Sequence, residues 1–315
     1  MLVLRNPQNL PLTLPDTALA IGNFDGFHKG HQAVINTMLD KAKARKLMPS
    51  VLTFEPHPRM FFKRSQEPLR IEKFSRKAER LKEAGVELLV VLTFNQALSS
   101  MSAENFVDDV LVGRLRAAEV ITGENFMFGK NRAGDSAFLM QKGVEKGFRF
   151  TAVSPIHDAG NIYSSTGLRG ALHHGDMNQA AKLLGRPYEI EGVVVHGDGR
   201  GKSLGAATAN IRLGPIYAPR YGIYAVRFKK IGESCWHEGV ASFGVRPTFG
   251  KNDPVLEVHG LKPLAPFYGE KLTVQWLAFL RDEIAYDDVE ALKTQIQKDI
   301  ATARQKLKEF RIEQA

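Results

Sequence analysis

The sequence predicts an α/β half followed by an all-β half that is closed by a helix. Three observations carry that prediction. Between residues 17 and 153, short apolar runs alternate with stretches at helical spacing, the pattern of a parallel sheet covered by helices on both faces. Between residues 189 and 280, short strand-like runs are separated by Gly, Pro and Asp turns, the pattern of an antiparallel barrel or sandwich. From about Asp287, Val289, Leu292, Ile296, Ile300 and Leu307 recur at a period that predicts one apolar helix face.

In chain order, Thr17–Ile21 reads as a buried strand, and Val34, Ile35, Met38, Leu39 and Ala42 then fall on one helix face. Ser50–Phe54 is a second strand, followed by basic amphipathic material around Phe74–Ala84 and a third strand at Val86–Phe94. Ser102 is placed to cap a helix running to about Leu115, with Glu104 in its first turn. Glu119–Thr122 and Arg149–Val153 supply further strands, with a helix opened by Asp135 between them. Thr166–Leu184 reads as a mostly helical connector. The later strands are expected at Glu189–His196, Gly222–Lys229, Trp236–Phe243, Val255–Leu261 and Lys271–Leu280.

Composition bounds the function. A chain of 315 residues with 43% hydrophobic and 24% charged residues is globular and long enough for two cores. The domains are expected at 1–184 and 185–315. The single cysteine, Cys235, excludes a disulfide framework and, read as a buried thiol, suits a reducing compartment. MLVLRNPQNLPLTLPD lacks an apolar core of signal-peptide length, and the longest strongly apolar block, Leu88–Leu92, is strand-sized. A cytoplasmic protein with no membrane partner is therefore expected. The net charge of +9 equals the surplus of residues 41–82 alone, so it is a local feature rather than the footprint of a polyanion binder. Either it steers small anions inward or it is a solvated helix face, and no nucleic-acid partner is expected.

The most informative stretch is Ala20–His31, AIGNFDGFHKGH, which follows a strand and opens a helix. Gly22, Gly26 and Gly30 let a polyphosphate approach the backbone, and the helix start offers N–H groups and partial positive charge. His28 and His31, one helical turn apart, can both direct ring N–H groups at the same phosphates. A two-histidine metal site and a solvated pair in a turn are the alternatives; no third ligand stands nearby to support the first. TFEPHP (Thr53–Pro58) and GENFMFG (Gly123–Gly129) each end a strand, where open α/β sheets bind ligands, and SSTGLR (Ser164–Arg169) opens a helix. Singly these blocks read equally well as a proline-stiffened turn, a buried aromatic turn and an N-cap.

The first stretch resembles the G-x-F-D-G-x-H-x-G-H signature of the nucleotidylyltransferase superfamily, which implies a Rossmann-like domain. With the other blocks, in this order, it resembles the adenylyltransferase half of bacterial bifunctional riboflavin kinase/FAD synthetases. That resemblance implies catalysis by His28 and His31. It implies ATP and phosphate binding by Gly22, Asn23, Phe24, Gly26, Gly30, Ser164, Ser165, Thr166 and Arg169, and flavin binding by Asn125, Pro56, His57 and Pro58. Gly167 stands where the family often has a bulkier, basic residue.

The second half resembles the riboflavin kinase domain, a small antiparallel β-barrel with a closing helix. The resemblance rests on GRPY (Gly185–Tyr188), GVVVHGDGRG (Gly192–Gly201), LGAATAN (Leu204–Asn210), YGIY (Tyr221–Tyr224), GVRPTF (Gly244–Phe249) and Tyr268-Gly269. It implies that the loop with Gly199, Gly201 and Gly205 holds ATP phosphates, that Thr208 and Asn210 ligate Mg²⁺, and that Glu257 is the general base. Ala207 replaces the family's usual proline, Ala206 a larger residue, and the segment after Glu257 departs as well, in Gly260-Leu-Lys-Pro and Pro266-Phe-Tyr-Gly. The loss of proline frees φ in the loop that presents Thr208. The expected enzyme makes FMN from riboflavin and ATP, then FAD from FMN and ATP. The alternative is an FAD synthetase whose kinase half has become a flavin-binding module. Riboflavin, FMN and ATP are the expected partners, and a monomer or weak homo-oligomer the expected state.

Overall fold

The computed structural model describes residues 1–62, 68–158, 161–196, 208–245, 254–262, 267–286 and 288–310. They fall into two compact units, Met1–Ser165 and Thr166–Ala315, so the expected connector, Thr166–Leu184, lies wholly in the second.

In the first unit, strands β1 (Leu2–Arg5), β2 (Thr17–Ile21), β3 (Met48–Glu55), β4 (Leu88–Thr93), β5 (Ala117–Gly123) and β6 (Arg149–Val153) form one sheet in the order β1-β4-β3-β2-β5-β6. Every pairing is parallel, as the alternation of elements predicts. All five residues of β2 are buried, which requires cover on both faces. Helix α1 (Lys29–Arg45) supplies it on one side with Val34, Ile35, Met38 and Ala42, packed with Ala18, Ala20, Val51, Leu89 and Ile121. The other face buries Leu19, Leu52, Leu88 and Val90 against Phe106, Val107, Val110 and Leu111. The chain also forms α2 (Pro58–Phe62), α3 (Phe74–Glu83), α4 (Gln96–Ser100), α5 (Ala103–Asn105) and α6 (Ser136–Lys146). Ser102 caps α5 by accepting the Asn105 N–H at 3.0 Å. From Phe106 to Arg114 that helix widens to π geometry rather than staying α, and Asp135 caps α6 as expected. Strand β1 carries no buried residue and lies at the sheet edge, and its short run of Leu2, Val3 and Leu4 was not read as a strand. A two-stranded ribbon, β7 (His157–Asp158) and β8 (Asn161–Ile162), precedes the end of the unit.

The second unit begins with α7 (Ser165–His174, its first residue belonging to the first unit) and α8 (Met177–Leu184). Strands β9 (Tyr188–Val195), β10 (Thr208–Arg212), β11 (Gly222–Lys230), β12 (His237–Val245), β13 (Pro254–Gly260) and β14 (Lys271–Arg281) close into a barrel in the order β10-β13-β12-β11-β14-β9. The barrel-or-sandwich ambiguity is thus resolved. Its interior is aromatic, with the Trp276 ring centroid 4.5 Å from that of Tyr224, 5.2 Å from Phe243 and 6.4 Å from Tyr188.

Helix α9 (Val289–Glu309) covers Ala225 and Leu277 on the outer face with Ala303 and Leu307. The expected apolar stripe is rotated. Val289 is exposed, whereas Asp299 is buried and makes a bidentate pair with Arg281 at 2.7 and 2.9 Å. A carboxylate met by a guanidinium fork can occupy a core-facing position that periodicity reserves for an aliphatic residue. Cys235 is exposed in the turn before β12, correcting the expectation of a buried thiol.

Candidate functional sites in the two units

Chain direction locates the first site. From β2 the chain moves outward to β3 and β4 on one side of the sheet, then crosses to β5 and β6 on the other. The crevice beyond the carboxyl ends of β2 and β5 is therefore the switch point where open α/β sheets bind ligands. Into it run the Gly22–Gly30 loop from β2 and the Gly123–Gly129 loop from β5.

The Gly22–Gly30 loop is tightly determined. Phe24 and Phe27 adopt positive φ, 50° and 44°, as does Gly26 at 83°. Left-handed backbone at two bulky residues is held by burying both rings in the core beside α1. The Phe24 side chain is thus a packing group, 5.3 Å from the His31 ring, and offers a nucleotide only its backbone. His28 caps α1, its Nδ1 accepting the His31 N–H at 3.3 Å. With Nδ1 accepting, the ring proton of neutral His28 resides on Nε2. The His28 and His31 rings stack with centroids 3.7 Å apart and planes at 22°. Two imidazoles so close present one donor face, and an anion there relieves the repulsion that charging both would bring. Asn23 Oδ1 is buried with no hydrogen-bond partner among the described residues. Half a turn of the amide exchanges acceptor for donor, so Asn23 answers either a ribose hydroxyl or a phosphate oxygen.

The Ser164–Ser165 turn comes to this loop, as the sequence predicts. Ser165 Oγ donates to the Asp25 carbonyl at 3.2 Å, and a Cβ on Gly30 would lie 2.9 Å from the Tyr163 carbonyl oxygen. Thr166 and Arg169 lie in the second unit, the former exposed and the latter buried. After β3 the chain makes a cis bond at Glu55-Pro56, and α2 begins at Pro58. His57 Nδ1 accepts the Arg59 N–H at 3.1 Å, and Asn125 is exposed on the turn after β5. Sequence reasoning offered an aromatic turn at GENFMFG but missed the aromatic cluster around α2. Phe61 and Phe62 pack edge-on against Phe94 at 5.5 and 5.7 Å, and Phe126 stacks on Phe128 at 5.7 Å. The Met60-Phe-Phe triplet inside a basic stretch was the available signal.

The basic stretch itself turns inward. Lys77 and Arg80 of α3 are buried. Lys77 Nζ donates to the Asn23 carbonyl at 3.2 Å, Thr53 Oγ1 at 3.3 Å and Glu55 Oε1 at 3.0 Å. Arg80 Nε donates to Glu72 at 3.1 Å; Glu72 in turn accepts the Gly26 N–H at 3.1 Å, while Asp25 accepts the Ile71 N–H at 2.9 Å. Arg70 pairs with Glu55, Arg45 with Glu119 and Arg76 with Glu79. Lys77 and Arg80 thus brace the Gly22–Gly30 loop, while Lys43, Lys46, Arg59 and Lys82 of the same stretch remain exposed.

In the second unit, register builds the other site. Asn210 on β10 stands opposite Glu257 on β13, which stands opposite Ser242 on β12. Thr208 stands opposite His259, one step along the same face. Alternation puts Thr208, Asn210, Glu257 and Ser242 outside the barrel, because Ile211, Leu256, Val258, Ala241 and Phe243 fill the inside. Thr208 and Asn210 are hard oxygen donors two residues apart on one face, chemistry that fits a magnesium ion shared with ATP phosphates. Sequence reasoning missed Ser242 and Glu283. Ser242 Oγ donates to Glu283 Oε1 at 2.9 Å, and that carboxylate lies where a Cβ on Gly244 would sit, 2.1 Å from Oε2. Only cross-strand register brings these residues to Glu257. Gly199, Gly201 and Gly205, with Ala206 and Ala207, lie outside the described residues.

Comparison with known proteins assigns a family to each half of the chain. The family model for FAD synthetase matches residues 11–167 and that for riboflavin kinase matches residues 184–307. A bifunctional riboflavin kinase/FMN adenylyltransferase of Pseudomonas fluorescens is 40% identical over 305 residues, covering 96% of this chain and 97% of its own. That of Escherichia coli is 37% identical over 287 residues, 91% of each. A crystal structure from Streptococcus pneumoniae, described as a macrolide-efflux protein, superposes with a TM-score of 0.86 at 28% identity, over 96% of this chain and 99% of that one.

Proposed function

The chain belongs to the family of bifunctional riboflavin kinases/FMN adenylyltransferases, and on that premise we propose which residues carry each of its two reactions. It phosphorylates riboflavin with ATP to give FMN, then adenylylates FMN with ATP to give FAD and pyrophosphate. The alternative of a kinase half reduced to a binding module is set aside, because both family models match and the near-full-length relatives are named for both activities.

Adenylyl transfer takes place at the switch point of the first unit. An FMN phosphate oxygen attacks the α-phosphorus of ATP in line as the bond to pyrophosphate breaks. Both reactants are anions and the nucleophile is already ionised, so the protein's tasks are alignment and charge stabilisation. His28, through Nε2, and His31 meet the charge developing on the phosphates. The Gly22–Gly30 backbone and the Ser164–Ser165 turn hold ATP, with Thr166 and Arg169 assigned to the same nucleotide. Pro56, His57, Pro58 and Asn125 hold the flavin. The stacked histidine pair on the first turn of α1, facing the crevice where the strand order reverses, carries this assignment.

Phosphoryl transfer takes place on the outer face of the barrel. Glu257 accepts the proton of the riboflavin 5′-hydroxyl as its oxygen attacks the γ-phosphorus and ADP leaves. Thr208 and Asn210 would hold Mg²⁺, which when bound neutralises charge on the ATP phosphates. Gly199, Gly201 and Gly205 are assigned to those phosphates. We place the enzyme in the cytoplasm, as a monomer or weak homo-oligomer; among the described residues no helix is long and apolar enough to cross a membrane. The efflux named for the Streptococcus pneumoniae protein is not carried to this chain.

The test is incubation of purified protein with riboflavin and Mg²⁺-ATP, resolving FMN and FAD by chromatography. FMN should appear first and FAD after it. His31→Ala should stop FAD while sparing FMN, and Glu257→Ala should stop FMN while sparing FAD made from supplied FMN. Loss of both activities in either variant would contradict separate sites.

A further inference from the structure

Lys77 belongs to none of the motifs that point to substrate. It sits on α3, outside the Gly22–Gly30 loop and outside TFEPHP, yet its ammonium touches both. Three donors meet three acceptors. One is the backbone carbonyl of Asn23, in the loop that carries His28 and His31. Another is Thr53 Oγ1, itself within 3.3 Å of that carbonyl. The third is the carboxylate of Glu55, the residue immediately before Pro56, which Arg70 also binds. An ammonium taken out of water is tolerated only where charge and protons are both answered, so these partners fix its position. The same helix grips the phosphate loop again through Arg80, Glu72 and the Gly26 N–H.

We propose that Lys77 is a positioning residue for adenylyl transfer, a buried cation that locks the ATP loop at Asn23 to the flavin loop at Glu55 so that the two substrates are held in register for in-line attack. The proposal rests on the assignment of those loops to ATP and FMN. An in-line displacement is sensitive to the relative placement of its partners, and a misplacement of about 1 Å can lower the rate about 100-fold. One ammonium bonded to both loops, beside the Thr53 hydroxyl that also meets the Asn23 carbonyl, sets that placement, whereas contacts within either loop do not.

The test uses the full chain and steady-state FAD formation from supplied FMN, with riboflavin phosphorylation as an internal control on folding. Lys77→Met removes the cation but keeps much of the stem. It should lower kcat about tenfold or more and raise KM for ATP and for FMN together, with the kinase rate unchanged. Glu55→Gln should do the same more mildly. The double variant should be no slower than the worse single, because each change breaks one shared link. A lower melting temperature with wild-type kcat and both KM values would reduce Lys77 to a stabilising residue and overturn the proposal. So would a rise in only one KM, or losses that multiply in the double variant. Should Lys77→Met fail to fold, Glu55→Gln alone decides through the same pair of KM values. His31→Ala separates the two readings: if it leaves FAD formation intact, the site assignment fails, and if it alone is inactive, only the role of Lys77 fails.

Discussion

Gly30→Ala places a single methyl group between two parts of the adenylyltransferase site. The new Cβ would lie 2.9 Å from the carbonyl oxygen of Tyr163 and 3.1 Å from two atoms of the His28 ring, where ordinary contact begins at 3.4 Å. The Tyr163 backbone must therefore yield by about half an ångström and the ring by about a third, close to the roughly 0.5 Å within which a catalytic constellation has to be held. Neither can move alone, since the adjoining turn is tied by Ser165 to Asp25 and the ring caps α1. Overpacking of this kind costs about 1–3 kcal/mol. For a unit of this size that lowers Tm by about 2–4 °C per kcal/mol. Displacement of His28 should lower FAD formation about 10- to 100-fold. In a riboflavin and Mg²⁺-ATP reaction, FMN would accumulate while FAD lags. A variant with the lowered Tm but an unaltered rate of FAD formation would refute the reasoning, because the strain would then be absorbed without reaching the histidines.

Ser242→Ala removes the hydroxyl, opposite Glu257, that donates to Glu283, a loss of about 1 kcal/mol that should slow riboflavin phosphorylation several-fold and leave adenylylation of supplied FMN untouched. Trp276→Ala empties the centre of the barrel and should destabilise the second unit by about 3–5 kcal/mol, so that a first, early unfolding transition appears in calorimetry. Gly170→Ala adds a methyl group in α7 that meets nothing within 4 Å, and should stabilise the chain by about 0.5–1 kcal/mol with activity retained.

What the sequence disclosed depended on whether a residue's environment repeats along the chain. Strands β2 and β4 are nearly continuous apolar runs because both faces are covered, and helix caps such as Ser102 and Asp135 are local events; both were legible. Histidines on the first turn of a helix were legible too, since glycine spacing fixes their setting. Other features depend on partners distant in the chain. Edge strand β1 has no buried face, and β10 carries polar ligand candidates in place of an apolar run. Counting charge placed a cationic surplus in residues 41–82 without revealing that Lys77 and Arg80 point inward, because their carboxylate partners only become neighbours when β3, α3 and the Gly22–Gly30 loop meet. Asp299 escaped for the same reason, its partner Arg281 being on a different element. Glu283 reaches Ser242 because β14 and β12 both pair with β11, where Ile223 stands opposite Arg281 and Ser242.

The edge strand also bears on synthesis. Leu2 pairs with Leu88, and Arg5 with Val91, in a parallel ladder. During translation β1 leaves the ribosome before β4, its strand neighbour among the described residues, which follows more than eighty residues later, about 4–17 s at ordinary elongation rates. For that interval the apolar Leu2 and Val3 wait without a partner, while β2 and β3, which adjoin in both sequence and space, can pair early. Strand β1 thus waits far longer for its neighbour than β2 does for β3, and the opposite edge closes later still, when β6 follows β5.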